Sequence, residues 1–276
     1  MRRLSRPSLP VFIAAALLVA PPPPAAAQQA METAIPDQVR LFIPYKAYSQ
    51  ADNERILAMY KWLRVADVSD GMDLVGLQDV GTVDQEIRPL WRDTDAFTHK
   101  VAGIAVTARY VPTNRREPRM DDKVIGQWYQ NYTTEAFMKM LTPGSMLVID
   151  AMEDGESRSI GSTNILGWQK LGMVGLVTSG GLADTDEIIH HKVPVYFRRY
   201  ARGIRPGRNE LESVNRPVTI GGVLVRPGDV VVADGDGVIV VPRERAEEVA
   251  KAALPFLDNI TRERYVKETG HNPWAK

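Results

Sequence analysis

The chain has 276 residues, with 34 basic side chains, 34 acidic side chains and no cysteine. Because disulfides are excluded, the fold depends on an ordinary apolar core, and the chain is long enough to bury one. The balanced charge and the lack of a basic cluster argue against nucleic-acid binding. We predict a single domain over residues 51–276.

The N-terminus has the pattern of a secretory signal. Three arginines within the first six residues precede an apolar run at 11–20 and three alanines at 25–27. The run is about ten residues long, whereas a membrane-spanning helix needs about twenty. We therefore predict a signal peptide at 1–27, an N-terminal arm at 28–50 and an exported protein, periplasmic or secreted, with no membrane anchor after cleavage. Loss of the signal would remove three arginines and no acid, leaving a net charge of about −3.

The first half of the chain predicts helices around one buried strand. Apolar spacing from Glu54 to Val65 indicates a helix, and a turn at 67–70 indicates the start of a second short helix. Small and β-branched residues at 101–108 indicate a buried strand. A polar loop at 112–123 leads to a helix predicted at 124–141.

In the second half the signals for strands and helices lie closer together. Strands are predicted at 146–149, 174–177, 194–197 and as several short runs within 217–241, and helices at 162–171, from Asp184 onward and at 244–257. Gly180-Gly181 is interpreted as a turn after the second of these strands. Strands alternate with helices in the middle and follow one another at the end, which predicts an α/β fold with a mixed sheet.

Several segments carry a family resemblance. Residues 65–73 (VADVSDGMD), 214–223 (VNRPVTIGGV) and 227–238 (PGDVVVADGDGV) resemble the family of RraA (regulator of ribonuclease E activity A) and the 4-hydroxy-4-methyl-2-oxoglutarate aldolases. The resemblance covers roughly 60–255, with an insertion around 112–140. It implies a swivelling β/β/α-type fold that forms rings, as a homotrimer or a dimer of trimers.

The resemblance also implies a chemistry. Aldolases of this family cleave 4-hydroxy-4-methyl-2-oxoglutarate to pyruvate and decarboxylate oxaloacetate with a divalent metal, for which Mg²⁺ is suited. Their motif places an arginine and a metal-binding aspartate side by side after a glycine turn. A second acid follows a glycine earlier in the chain, and a third comes from the C-terminal helix of a neighbouring subunit, where Glu263 is the candidate counterpart.

This chain departs from the pattern at two positions. Asp184 matches the metal-binding aspartate, but Ala183 stands where the arginine is expected, and Ser162 follows Gly161 where the acid is expected. Loss of one preorganised charge partner typically lowers a rate about a hundred- to a thousandfold. Asp184 precedes a predicted helix, so it is interpreted as a metal ligand or as a helix cap.

Two further segments supply candidate site residues. The start of the predicted helix at 162–171 offers backbone amides for a substrate carboxylate, with Asn164 as a neutral donor, or is an ordinary N-cap. The candidate substrate-binding residues are therefore Gly161, Ser162, Thr163 and Asn164. Three arginines in a Gly- and Pro-containing segment are candidates to replace the missing one, or belong to a solvated or intersubunit loop: Arg202, Arg205 and Arg208.

Two functions follow from this sequence. The first is a divalent-metal-dependent carbon–carbon lyase of the aldolase or oxaloacetate decarboxylase type, acting on a small oxo acid. The second is a catalytically silent ring protein that binds a ligand or a protein partner outside the cytoplasm. An arginine facing Asp184 would favour the lyase, and apolar side chains filling the site would favour the binding protein.

Overall fold

The computed structural model describes residues 47–117, 119–151 and 155–275. The predicted signal peptide, and the predicted arm up to residue 46, lie outside these residues, so export and the arm stay predictions. Within the described ranges, none of the helices has both the length and the apolar character needed to cross a membrane.

Helices and strands alternate through the described chain. The α-helices are α1 (Gln50–Tyr60), α2 (Val65–Leu74), α3 (Asp122–Asn131), α4 (Ser162–Lys170), α5 (Thr185–His190), α6 (Ala246–Ala253) and α7 (Asn259–Thr269). The strands are β1 (Arg88–Pro89), β2 (Val101–Pro112), β3 (Ser145–Asp150), β4 (Arg158–Ile160), β5 (Met173–Leu182), β6 (Val195–Tyr200), β7 (Asn209–Val214), β8 (Val218–Ile220), β9 (Val223–Val225), β10 (Val230–Asp234) and β11 (Gly237–Val241).

Nine of the described strands form one mixed sheet, which confirms the predicted α/β class. The order along it is β1-β6-β5-β3-β2-β10-β11, with β4 added to β5 and β7 added to β2. The central neighbours β2, β3, β5 and β6 run parallel, and β1, β7, β10 and β11 join antiparallel. A bridge between Thr82 and Ile239 brings the two ends of the order together, so the sheet is nearly closed.

Buried apolar side chains cover both faces of this sheet. One cluster packs α4 and the 3₁₀ helix at Ala136–Met140 against β3 and β5 around Trp168, and another packs α1, α2 and α6 against β10 and β11. A third lies between the central strands and the β8–β9 hairpin. The chain therefore builds its core without disulfides, as the sequence requires.

Three predicted features differ from the structure: the start of one helix, the end of another and one turn. The second helix starts at Val65, before the predicted turn, because Asp67 accepts the Arg64 amide (2.9 Å) in a capping box. The helix predicted at 124–141 ends at Asn131 and is followed by a separate 3₁₀ helix. The turn predicted at Gly180-Gly181 is wrong, because both glycines lie within β5. Gly181 is paired with β4 and β6, and a Cβ there would meet the Ser157 carbonyl oxygen.

The buried carboxylate of Asp229, at the entry to β10, gives the fold a testable dependence on pH. It accepts the amides of Arg226 (2.7 Å) and Arg243 (3.0 Å), and burial outweighs these bonds and raises its pKa to about 6. The folded state then holds this proton more tightly than the unfolded state. The free energy of unfolding contributed by this group is largest below pH 4 and falls as the pH rises to 6, by about 3 kcal/mol.

Replacement of Asp229 with asparagine should remove this dependence. Relative to wild type, Asp229→Asn should gain about 2.5 kcal/mol in free energy of unfolding between pH 4 and pH 7, measured by urea denaturation. Asp236→Asn, which removes an exposed carboxylate from the following turn, is the matched control. Equal pH profiles for wild type and Asp229→Asn would contradict the prediction.

Candidate active site

Asp184 lies directly beyond the carboxyl end of β5 and is held by tertiary contacts. Its backbone is left-handed (φ 55°, ψ 36°), a conformation that an aspartate tolerates better than most residues. Its side chain makes no capping bond to α5, the helix that it precedes. Instead, Oδ2 accepts the backbone amide of Ser162 at 3.3 Å. The carboxylate therefore faces the start of α4 and not its own helix.

An arginine faces Asp184, and it comes from β4. The guanidinium of Arg158 lies 3.8 Å from Asp184 Oδ1, and both side chains are 41% exposed. Strand β4 brings Arg158 into register with Gly181 of β5, three residues before Asp184. An ion pair this exposed contributes at most about 1 kcal/mol to stability. Because the pair adds little stability, the Arg158 guanidinium can bind a ligand with little loss to the fold.

The start of α4 offers polar backbone beside this pair. Gly161 is its N-cap and has no side chain to cap the helix, and the first amides of a helix lack partners within it. A Cβ on Gly161 would lie 2.5 Å from Asp184 Oδ2 and 3.8 Å from Asn164 Oδ1. A side chain at residue 161 would therefore collide with the Asp184 carboxylate, and its absence lets Asp184 approach the start of α4. Thr163 is exposed, whereas Ser162 is buried and donates its hydroxyl to Glu187 Oε2 at 2.5 Å.

The insertion around 112–140 reaches this helix through Glu135. Its Oε1 accepts Asn164 Nδ2 at 2.5 Å, and its Oε2 accepts Trp168 Nε1 at 2.7 Å. The Arg205 guanidinium lies 3.9 Å from the same carboxylate. Asn164, expected as a donor to substrate, therefore uses its amide NH₂ on a protein carboxylate. Nothing in the sequence pattern pointed to Glu135.

The three arginines predicted as catalytic have other contacts. Arg205 is 1% exposed, stacks 4.6 Å from the Tyr110 ring centroid, and donates to Ser159 O and the Tyr110 hydroxyl. Arg202 is 88% exposed and pairs with Glu156 at 3.3 Å. Arg208 is exposed and donates to its own loop at Ile204 O (2.7 Å). Their catalytic role stays a prediction, while the contact to Asp184 belongs to Arg158.

The donor set near Asp184 suits a lightly coordinated oxygen-seeking cation. Among the described residues, no group of three or more His, Asp or Glu side chains could hold a metal ion. Mg²⁺ commonly takes one or two carboxylates and keeps several waters. Asp184, a single carboxylate that is 41% exposed, fits such an ion. Glu263, the candidate third acid, lies exposed on α7.

A separate cleft of about 340 Å³ lies on the opposite face of the sheet, against the β8–β9 hairpin. It contains two pairs of opposite charges, Arg109 with Asp150 (3.7 Å) and Arg198 with Glu86.

These contacts define an α/β protein with an open polar site, in which a carboxylate, an arginine and the start of a helix meet at the end of a parallel strand. The model of the RraA-like family, Aldolase/RraA, matches residues 65–240. This is more than half of the chain, and the chain belongs to that family.

Two relatives are similar to parts of this chain. A Halalkalibacterium halodurans protein named "Putative 4-hydroxy-4-methyl-2-oxoglutarate aldolase" is 35% identical over 132 residues, which are 46% of this chain and 60% of that protein. Legionella pneumophila protein DlpA is 26% identical over 72% of this chain and 29% of its own length. The matches thus span less than two thirds of either relative.

A solved structure shows the same fold. Streptomyces coelicolor RraAS2, described as an unusual member of the RNase ES inhibitor RraA family, superposes with a TM-score of 0.61 over 78% of this chain and 97% of its own. The two sequences are 21% identical, a level that supports likeness of fold alone. The predicted RraA-like fold is therefore confirmed, while assembly into rings stays a prediction.

Proposed function

We propose that this protein is a divalent-metal-dependent carbon–carbon lyase of the aldolase or decarboxylase type, acting on a small oxo acid. The observation that carries the proposal is the contact between Arg158 and Asp184. The resemblance implies an arginine beside the aspartate, and Ala183 cannot supply one. Arg158 provides the same charge from a neighbouring strand. The name of the Halalkalibacterium relative is consistent with this chemistry.

Each group at the site has a distinct task in such a reaction. The amides of Thr163 and Asn164 at the start of α4 would bind the carboxylate of the pyruvyl unit, since the Ser162 amide is already bonded to Asp184. Asp184 would hold the cation, and Mg²⁺ would supply Lewis-acid stabilisation of the negative charge that develops on the keto oxygen. Arg158 would face the same developing charge, where a preorganised cation is most effective.

Decarboxylation of oxaloacetate is the simplest test reaction for these groups. The bond between C3 and C4 breaks, and C4 leaves as carbon dioxide. The electron pair of the broken bond stays on the pyruvyl unit, which becomes an enolate. A proton from solvent, delivered to C3, then gives pyruvate. Arg158 lowers the barrier by stabilising the enolate charge, and the α4 amides hold the C1 carboxylate throughout.

Loss of the Asp184 charge should abolish turnover. We expect purified protein with Mg²⁺ to release pyruvate from oxaloacetate above the free-metal rate, and Asp184→Asn to return it to that rate, because it removes the negative charge that Asp184 contributes to the cation. A chelator should have the same effect as the substitution. Pyruvate is measured with a coupled dehydrogenase.

The matched control is Asp186→Asn, which removes an exposed acid from the first turn of α5 and should retain full turnover. Wild-type protein that does not exceed the free-metal rate with oxaloacetate or 4-hydroxy-4-methyl-2-oxoglutarate would contradict the lyase proposal. Ala183 and Ser162 would then favour the alternative, a binding protein built on this fold.

The site is open to solvent on the side of Asp184 and Arg158, which fits the proposed ring. If a neighbouring subunit covers this side, its C-terminal helix could bring Glu263 toward the cation, as the resemblance implies. Homotrimeric or hexameric assembly and export both remain part of the proposal.

A further inference from the structure

The side-chain amide of Asn164 can adopt only one orientation. Its Nδ2 lies 2.5 Å from Glu135 Oε1, and a carboxylate oxygen accepts hydrogen bonds and does not donate them. The other atom of the amide, Oδ1, must therefore point away from Glu135. No donor among the described residues hydrogen-bonds Asn164 Oδ1, so this oxygen is available to a ligand.

Glu135 is itself held firmly, so it fixes the amide. Its second oxygen accepts the Trp168 indole N–H at 2.7 Å, and the Trp168 side chain is fully buried. The buried guanidinium of Arg205 lies 3.9 Å away and keeps the carboxylate on this side of α4. The insertion thus fixes which atom of Asn164 is presented at the helix start.

Two oxygen atoms from different elements lie on the same side of Gly161, and neither of them can donate a hydrogen bond to the other. The position of a Cβ on Gly161 lies 2.5 Å from Asp184 Oδ2 and 3.8 Å from Asn164 Oδ1. Arg158 lies near the other Asp184 oxygen, Oδ1, so the guanidinium and Asn164 Oδ1 approach different oxygens of the carboxylate. A carboxylate oxygen and an amide oxygen are both ligands that hard divalent cations prefer.

We infer that Asn164, oriented by Glu135, is a second protein ligand of the divalent cation, where the family pattern has an acid at the position of Ser162. A neutral amide oxygen in place of a carboxylate leaves Asp184 as the charged ligand of the cation, with the positive charge of Arg158 beside it. Glu135 acts through Asn164 as a positioning residue. This inference rests on the cation of the proposed function, but it concerns binding and not turnover.

Direct binding of Mn²⁺, as a paramagnetic substitute for Mg²⁺, tests the inference without any assay of activity. Free Mn²⁺ is measured by electron paramagnetic resonance during titration of the full-length purified protein. We expect wild type to bind one Mn²⁺ per chain, and Asp184→Asn to abolish binding. Asn164→Ala should raise the Kd at least about tenfold, without removing any buried charge.

Glu135→Gln tests the positioning role at a distance from the cation. Trp168 Nε1 can only donate, so the glutamine must turn its oxygen to Trp168 and its NH₂ toward Asn164. Asn164 then turns its own oxygen to the glutamine and its NH₂ to the cation. The Kd for Mn²⁺ should rise about 10- to 100-fold, in the range seen when a partner of a metal ligand is removed.

The double variant and a control separate this effect from general damage. If Glu135 acts through Asn164, Glu135→Gln should raise the Kd no further when Asn164 is already alanine. Asp122→Asn removes an exposed carboxylate from the same insertion and should leave the Kd unchanged. Thermal melting of each variant identifies any that fail to fold, and Asn164→Ala alone then decides the ligand role.

Two results would overturn the inference. The first is a Kd unchanged in Asn164→Ala, with binding still lost in Asp184→Asn; the proposed lyase would stand, with Asp184 as the protein ligand. The second is no Mn²⁺ binding by wild-type protein. If pyruvate is then released even with chelator, the assignment of a cation site is wrong. If no pyruvate is released, the proposed lyase function itself is wrong.

Discussion

Arg158→Ala is expected to lower kcat/KM for pyruvate release about a hundred- to a thousandfold, the usual cost of removing one preorganised partner of a developing anion. The reason is geometric. Arg158 lies 3.8 Å from Asp184, while Arg202, Arg205 and Arg208 make their described contacts elsewhere. The fold should tolerate the change, because both side chains of the pair are 41% exposed and such pairs add little stability.

The measurement is steady-state release of pyruvate from oxaloacetate with Mg²⁺, with the melting temperature recorded for each variant. Arg158→Lys should recover part of the lost rate, because it restores the charge but not the planar fork. Arg202→Ala is the control, since it removes an arginine that is 88% exposed and paired only with Glu156 among the contacts described. A larger loss in Arg202→Ala than in Arg158→Ala would refute the assignment.

Arg205→Met is expected to lower the free energy of unfolding by about 2–4 kcal/mol, because buried acceptors lose the hydrogen bonds of a buried guanidinium. Arg205 is 1% exposed, and its contacts join three parts of the chain: Glu135 of the insertion, Tyr110 of β2 and Ser159 of β4. Methionine fills a similar volume but satisfies none of the three. Urea denaturation measures the loss.

Arg208→Met serves as the matched control, because Arg208 is exposed and bonds to its own loop. Its free energy of unfolding should change by less than about 0.5 kcal/mol. A fully stable Arg205→Met protein that has lost pyruvate release would instead support the catalytic role that the sequence suggested. If Arg205→Met loses both stability and Mn²⁺ binding, the result would agree with a role for Arg205 in holding the Glu135 carboxylate in place.

Much of the fold was predictable from local pattern. The small, β-branched run at 101–108 lies in β2, and the glycine-broken runs within 217–241 are four short strands. Such patterns work because burial on a strand or helix requires a matching period of apolar residues. The turn predicted at Gly180-Gly181 was wrong, because a pair of glycines does not by itself indicate a turn. Glycine pairs also occur where another strand passes too closely for a Cβ, as Ser157 does at Gly181.

The site was predictable only where residues are neighbours in sequence. Asp184 and the segment from Gly161 to Asn164 could be named from motifs, and the structure brings them together through the Ser162 amide. Arg158 and Glu135 could not be named. Arg158 becomes a neighbour of Asp184 by parallel pairing of β4 with β5, and Glu135 approaches α4 from an insertion with no counterpart in the motifs.

The sequence by itself determined the α/β class, the family, the two departures at Ala183 and Ser162, and the lack of disulfides. Composition, apolar period and short motifs are local properties, so they can be read without coordinates. Only the tertiary structure decided which arginine faces Asp184, which atom of Asn164 is presented to a ligand, and that Arg205 is buried. These properties depend on the direction of side chains from separate segments, and strand register and packing set that direction.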